Sequence, residues 1–217
     1  MSDEDNDNNE IKEEQEEKEK INFTFKSGDR YDGEIEDGKK HGKGKYMFKN
    51  KDIYVGDFLE GKFHGNGVYT YSNGDKYEGE FSEGLKSGKG KMTFKNSTIT
   101  YEGKFENNMA NGKGIYTYIN GDKYDGEMKN NKFNGKGTYY YKNGEKYIGN
   151  FLDDKKNGIG IFHFSDGRIF KGKWDNDILS QNFNNIEQDE NNSNEENEGS
   201  NDNNENENEN ENNNDDD

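Results

Sequence analysis

The amino-acid sequence predicts an all-β protein, a run of tandem β-hairpins between two acidic tails. Three observations predict it. Starts of the form Tyr-x-Gly fall at Tyr31, Tyr54, Tyr77, Tyr101, Tyr124 and Tyr147, spaced 23 residues apart except for one interval of 24. Within each unit two short segments alternate with period two, the signature of strands. Asn-Gly pairs or near equivalents punctuate the units at one register. Self-similarity at this period marks a repeat architecture.

Composition sets the terms on which such a chain can fold. Of 217 residues only 25% are hydrophobic, 35% are charged and 28 are glycine, proportions that alone suggest disorder. The 14 Tyr, 14 Phe and single Trp argue otherwise, so order has to come from aromatic rings packed on glycine-rich backbone. Without cysteine there are no disulfides, thiolate metal sites or cysteine nucleophiles. The formal net charge of −17 divides unevenly: residues 1–20 are net −7, residues 178–217 hold 14 acids and no Lys or Arg, and residues 21–177 are net +4.

In chain order, residues 21–30 (INFTFKSGDR) match the back half of a unit, so the array opens on a half repeat. The unit from Tyr54 shows the full pattern. In its first segment Tyr54, Gly56 and Phe58 share a face; in its second, Gly65, Gly67, Tyr69 and Tyr71 share one. Between units, Asn73-Gly74, Asn120-Gly121 and Asn143-Gly144, with Ser27-Gly28 and Asp166-Gly167 as variants, are expected to form type I′ turns. A longer loop is expected inside each unit around Gly38, Gly61, Gly84, Asn108, Asn131 and Asp154, residue types that tolerate left-handed backbone. Lys51 replaces the turn glycine in the first unit, and the third unit carries its extra residue between Lys95 and Thr100, so both turns are expected to be built differently. A partial repeat covers residues 170–177. With strands ~4.8 Å apart, six hairpins make a rod of roughly 60 Å.

The pattern Y-x-G-x-F, then G-x-G-x-Y-x-Y, then N-G-D-K-Y resembles the MORN repeat (membrane occupation and recognition nexus) over residues 21 to about 177. The family often has Trp where this chain has Phe58, Phe81, Phe105 and Phe151; Ile35 and Met128 are weaker matches. The resemblance implies an elongated, single-layer, twisted antiparallel sheet with no second packing layer. The paired glycines are then structural: Gly42 and Gly44, Gly65 and Gly67, Gly88 and Gly90, Gly112 and Gly114, Gly135 and Gly137, Gly158 and Gly160. They are expected to leave bare backbone on the aromatic face, where neighbouring rings lie flat. Aromatic cross-strand pairs add roughly 0.2–1 kcal/mol each, and each unit meets only its neighbours, so stability accumulates along the array.

Beyond the array, Leu179, Phe183 and Ile186 follow helical spacing behind Asp177 as N-cap, which predicts a short capping helix over residues 178–188. The alternative is that the tail begins there. Residues 1–20 and the Asn/Glu/Asp-rich residues 189–217 are expected to be disordered, because they cannot bury enough apolar surface to offset ordering entropy. The opening MSDEDNDNNE has no apolar signal region, and no run approaches the ~18 apolar residues of a membrane span. The expectation is a cytoplasmic protein; the resemblance adds association with the cytoskeleton or membrane skeleton.

No site chemistry emerges. There is no G-x-x-x-x-G-K-[ST] phosphate loop, and repeat geometry accounts for the recurring G-x-G pairs. His41 and His64 share a register and His163 lies far along the array, too few ligands for a metal site. No Ser/His/Asp arrangement occurs. The expectation is no enzyme, no cofactor and no metal. Some plant lipid kinases and lysine methyltransferases carry such repeats beside a catalytic domain, for which the ordered length here leaves no room.

Two functions compete. One is a scaffold for protein docking or homodimer formation, its partner unidentified, through a stripe of Tyr54, Tyr69, Tyr71, Tyr77, Tyr101, Tyr116, Tyr118, Tyr124, Tyr139, Tyr141 and Tyr147. Curvature that folds the stripe onto itself would leave less for a partner. The other is a weak peripheral contact with anionic phospholipid through Lys43, Lys89, Lys113 and Lys136, which recur on the opposite face. Against it, Glu34, Asp57, Glu80 and Glu127 share that face and are expected to neutralise the lysines by cross-strand pairing. The overall acidity argues against nucleic acid.

Overall fold

The structure, a computed structural model, describes residues 19–97 and 99–183. It is one antiparallel sheet of 15 strands, each paired with the next in sequence and none crossing over. The strands are β1 (Lys20–Thr24), β2 (Arg30–Glu36), β3 (Lys39–Met47), β4 (Ile53–Leu59), β5 (Lys62–Thr70), β6 (Lys76–Ser82), β7 (Leu85–Phe94), β8 (Ile99–Glu106), β9 (Met109–Thr117), β10 (Lys123–Lys129), β11 (Lys132–Tyr140), β12 (Lys146–Leu152), β13 (Lys155–His163), β14 (Ile169–Asp175) and β15 (Ile178–Asn182). The all-β, open-sheet expectation holds.

The two turn types are the reverse of the sequence expectation. At Asn73-Gly74 only the glycine has positive φ (90°). The Gly74 N–H donates to the Tyr71 carbonyl (2.8 Å) and the Tyr71 N–H to that of Asp75 (2.9 Å), which makes a type I turn closed by a left-handed glycine. The Asn73 side chain accepts the Asp75 N–H (3.0 Å), which holds Asn73 out of the left-handed region. The loop inside each unit is the type I′ turn, with two central residues at positive φ: Glu60 and Gly61 (50° and 83°), Asn107 and Asn108 (50° and 70°), Asp153 and Asp154 (48° and 72°). Where Asn or Asp takes the second position, its side chain does further work. Asn108 donates its N–H to the Lys86 carbonyl (3.1 Å) and accepts the Lys86 N–H on Oδ1 (2.9 Å), tying one hairpin tip to the previous hairpin.

Lys51 does not change its turn. It adopts φ 73° and donates its N–H to the Phe48 carbonyl as a glycine would. A β-carbon in that conformation costs about 1 kcal/mol, so Lys51→Gly is expected to stabilise the array by up to about that amount, read as a higher melting temperature. An unchanged or lower melting temperature would show that the turn carries no strain.

The predicted capping helix is corrected over its first part: residues 178–182 are strand β15, paired with β14. Asp177 is not an N-cap but the second residue of another type I′ turn (Asn176 48°, Asp177 69°), and its carboxylate accepts the Lys156 N–H. The register could have been read, because Asp177 lies 23 residues after Asp154. The i, i+4, i+7 spacing misled because β15 lacks the Gly-x-Gly pair that identifies its siblings. The remainder of the proposed helix, and both tails apart from residues 19, 20 and 178–183, lie outside the described residues.

The core sits on one face of the single layer. Tyr31, Tyr54, Tyr77, Tyr124 and Tyr147 are fully buried, and Tyr101 is nearly so. Each ring lies in a hollow between two facing glycines. Beneath Tyr54, Gly56 pairs with Gly67, and a β-carbon on Gly67 would stand 2.5 Å from Tyr54 Cε2. The hydroxyl donates to the carbonyl three residues on (Tyr54 to Asp57, 2.8 Å; Tyr77 to Glu80, 2.9 Å). The ring edges of Phe58 and Phe81, from its own unit and the next, close the sides at 5.2 and 5.0 Å. Phe63 stacks on top at 3.9 Å, as Phe133 does on Tyr124 at 3.7 Å; over Tyr77 and Tyr147 the Nζ of Lys86 and Lys156 takes that place at 5.5 and 5.6 Å.

The two glycines of each Gly-x-Gly pair therefore have different roles, where a shared one was expected. Gly67 leaves room for the ring. Gly65 supplies positive φ (53°) at a bulge where β4 and β5 slip register, and a side chain there would strike Asp57 rather than a ring. The partner glycines Gly33, Gly56, Gly79, Gly103, Gly126 and Gly149 complete the hollows. Their signal was the invariant third position of Tyr-x-Gly.

Candidate interaction surfaces

The proposed tyrosine stripe divides into two populations. Tyr54, Tyr77, Tyr101, Tyr124 and Tyr147 are core, so no partner reaches their rings. Tyr69, Tyr71, Tyr116, Tyr118, Tyr139 and Tyr141 are half-buried above them. Three hairpins each contribute a pair at i and i+2, with centroids 4.6 Å apart for Tyr69 and Tyr71, 5.0 Å for Tyr116 and Tyr118, and 4.8 Å for Tyr139 and Tyr141. Phe48, Phe162 and Phe164 occupy the same registers and extend the row, although sequence reasoning passed over them. Contacts of 6.1 Å (Tyr118 to Tyr139) and 5.7 Å (Tyr141 to Phe162) join Tyr116 through Phe164 into an uninterrupted ridge of six rings. The ridge stops at Met92 and Phe94, within the unit that carries the extra residue.

Turn carboxylates hold the first tyrosine of two of these pairs. The Tyr69 hydroxyl donates to Asp52 (2.8 Å), which also accepts the Ser72 N–H (2.8 Å); Tyr139 and Lys142 do the same with Asp122 (3.1 and 2.8 Å). Burial pushes the Asp52 carboxyl up, but the Ser72 N–H and Tyr69 hydroxyl outweigh it and hold the group below the ordinary carboxylate range. The Tyr69 hydroxyl is pushed upward, first by burial and then by that carboxylate. Tyr118 has no such partner among the described residues; burial pushes it to about 12.

On the opposite face Lys43, Lys89, Lys113 and Lys136 lie on β3, β7, β9 and β11, too spread for one small-ligand site to gather all four. Lys43 forms an ion pair with Asp57. Lys89, Lys113 and Lys136 form no ion pair among the described residues. Glu80 and Glu127 turn a carboxylate oxygen onto the bulge N–H of Lys89 (2.9 Å) and Lys136 (3.2 Å), and Asp57 does the same for Asn66 (2.9 Å). The fourth unit has Lys104 at this acid register, directly opposite Lys89. The described residues bring no group of three or more His, Asp or Glu together as metal ligands.

Comparison with known proteins agrees with the repeat geometry. The MORN repeat model matches residues 31–53, 54–76, 77–99, 101–123, 124–146 and 147–167, more than half of the chain. No curated protein matches significantly. Among solved structures, the TCP domain of SAS-4 (dCPAP) of Drosophila melanogaster, in complex with a proline-rich motif of Ana2 (dSTIL), is 14% identical with a TM-score of 0.43, covering 71% of this chain and 78% of that one. The TCP10 domain of Danio rerio CPAP, in complex with a peptide of STIL, is 14% identical with a TM-score of 0.28, covering 71% and 84%.

Proposed function

The chain belongs to the MORN repeat family, and we propose that it works as a non-catalytic docking scaffold whose ring ridge takes a protein partner or a second copy of the chain, at cytoskeletal or membrane-skeleton structures. The observation that carries this reading is the unbroken ridge from Tyr116 to Phe164, six half-buried rings on a sheet over which the described residues place no second layer. Such rings offer a large contact area at little conformational cost, because the core beneath them, and for Tyr139 the Asp122 carboxylate, already hold them. Tyr118→Ser with Tyr141→Ser removes the middle of the ridge without touching a glycine hollow. In sedimentation velocity at micromolar concentration the full chain is expected to run as a dimer or larger, and the double variant as a monomer with its circular-dichroism melt nearly unchanged. Equal association of the two proteins would remove the ridge from the reading.

A second reading is peripheral binding of anionic phospholipid. It is favoured by the same-face carboxylates being turned onto backbone N–H groups, which leaves Lys89, Lys113 and Lys136 without an ion pair among the described residues. Lysines near an anionic membrane contribute ~1 kcal/mol each. Phosphoinositide-rich vesicles would then pellet the full chain at low salt and release it as salt rises. No pelleting at low salt eliminates this reading.

A further inference from the structure

The face opposite the rings changes character at its C-terminal end. In β3–β6 the middle registers of this face include Asp57, Glu78 and Glu80, and in β7–β10 they include Glu102, Asp125 and Glu127. The corresponding registers of β11–β14, from Tyr140 and Lys146 down to Ile159 and Lys173, contain no carboxylate. Lysines and isoleucines take their place. Ile148 pairs with Ile161 beside Ile159, with Ile148 39% and Ile159 55% exposed, while Lys136, Lys146 and Lys173 form no ion pair among the described residues. A depression of about 600 Å³ opens along the near edge of this patch between Lys136, Ile148 and Ile159 and the acidic strand β10. The surface is basic and aliphatic, suited to an acidic segment rather than to a basic or neutral one.

The chain supplies such a segment at the nearest possible point. Residues 184–217 hold 14 acids and no Lys or Arg, with Ile186 close to their start. They continue from Phe183, whose N–H donates to the Lys171 carbonyl of β14 (3.0 Å), at the rim of the patch. The middle of the patch lies two to three strands from β15, roughly 10–15 Å away, and ten extended residues span about 33 Å. The N-terminal acidic segment leaves β1, at the far end of the sheet. Tethering at this distance places the C-terminal carboxylates at an effective millimolar concentration over the lysines.

We propose that residues 184–217 fold back onto β11–β14, with carboxylates on Lys136, Lys146 and Lys173 and the isoleucines as floor, and so cover this end of the face within one chain. The proposal stands apart from the ring ridge, which lies on the other side of the sheet. Zero-length carbodiimide coupling of the full chain at low salt, mapped by mass spectrometry, tests it. Carboxylates of residues 187–217 are expected to couple to Lys136, Lys146 and Lys173, not to Lys43 and Lys45. In an equal mixture of labelled and unlabelled protein the coupled peptides are expected to share one isotope. Coupling spread evenly over the face, or mixed-isotope pairs, would overturn the proposal. The salt response of the hydrodynamic radius gives a second readout. An undocked polyanionic tail shrinks as salt screens its own repulsion, whereas a docked one is released and expands. The wild-type radius is therefore expected to rise with salt and that of Lys136→Gln/Lys146→Gln/Lys173→Gln to fall. A wild-type radius that falls or stays constant sinks the inference.

Discussion

Gly67→Val is expected to destabilise the array by about 3 kcal/mol, at the upper end of overpacking effects. The new side chain would occupy the space of the Tyr54 ring, and displacing that ring loses its hydrogen bond to the Asp57 carbonyl together with the Phe58, Phe63 and Phe81 contacts. Because Phe81 belongs to the next unit, the damage crosses the repeat boundary and should appear in hydrogen exchange of both units. Two companion variants separate space from backbone conformation. Gly65→Ala meets the wrong φ and the Asp57 carboxylate but no ring, so it should be milder. Gly61→Asn has nothing within 4 Å of a new β-carbon and adopts a φ that Asn108 already holds at the same register. It should shift stability by no more than about 0.5 kcal/mol. A Gly67→Val melt indistinguishable from wild type would show that the ring does not depend on the hollow.

Alkaline pH is expected to unfold the protein steeply. Burial pushes the hydroxyls of Tyr31, Tyr101 and Tyr147 up to about 12, and those of Tyr54, Tyr77 and Tyr124 higher still, from an ordinary value of 10.0. Below that ordinary value both folded and unfolded chains keep these protons, and the stability is fully present. Above it the unfolded chain ionises while the folded chain does not, so stability falls as pH rises toward the folded values. Each tyrosine held protonated contributes a slope of about 1.4 kcal/mol per pH unit, and six acting together exceed what a protein of this size commonly holds in reserve. Tyrosinate absorbance and far-ultraviolet circular dichroism should change together in one sharp transition above pH 10. Gradual tyrosinate formation with the circular dichroism intact would contradict the buried-ring core.

Much of the fold was legible because a repeat states its pattern several times over. The period, the two strands per unit and the turn positions all follow from local residue types, and the sheet needs only contacts between neighbours. The turn types were not legible in the same way. Asn73-Gly74 and Glu60-Gly61 both permit a type I′ turn, and the choice rests on where each hairpin tip finds its hydrogen bonds. Gly61 donates its N–H to the Lys40 carbonyl of the preceding hairpin (2.9 Å), whereas Asn73 satisfies the Asp75 N–H locally. The last strand was hidden by the loss of its Gly-x-Gly marker.

Sequence alone determined that this is an all-β array, which residues share each face outside the bulges, and that the acidity belongs to the ends. The tertiary structure decided depth. Tyr54 and Tyr69 stand opposite each other on the same face, and alternation treats them alike. Only Tyr54 lies over the facing glycines Gly56 and Gly67, with phenylalanines from two units around it, so it is buried while Tyr69 stays half-exposed in the ridge. The same holds for the carboxylates. Their spacing promised ion pairs with the lysines, but the bulge opened by the first glycine of each pair presents an unpaired N–H nearer than any ammonium, and Glu80 and Glu127 turn to it. A strand's alternation is a property of its own backbone; what covers a side chain, or accepts its hydrogen bonds, is set by the strands that pairing brings alongside.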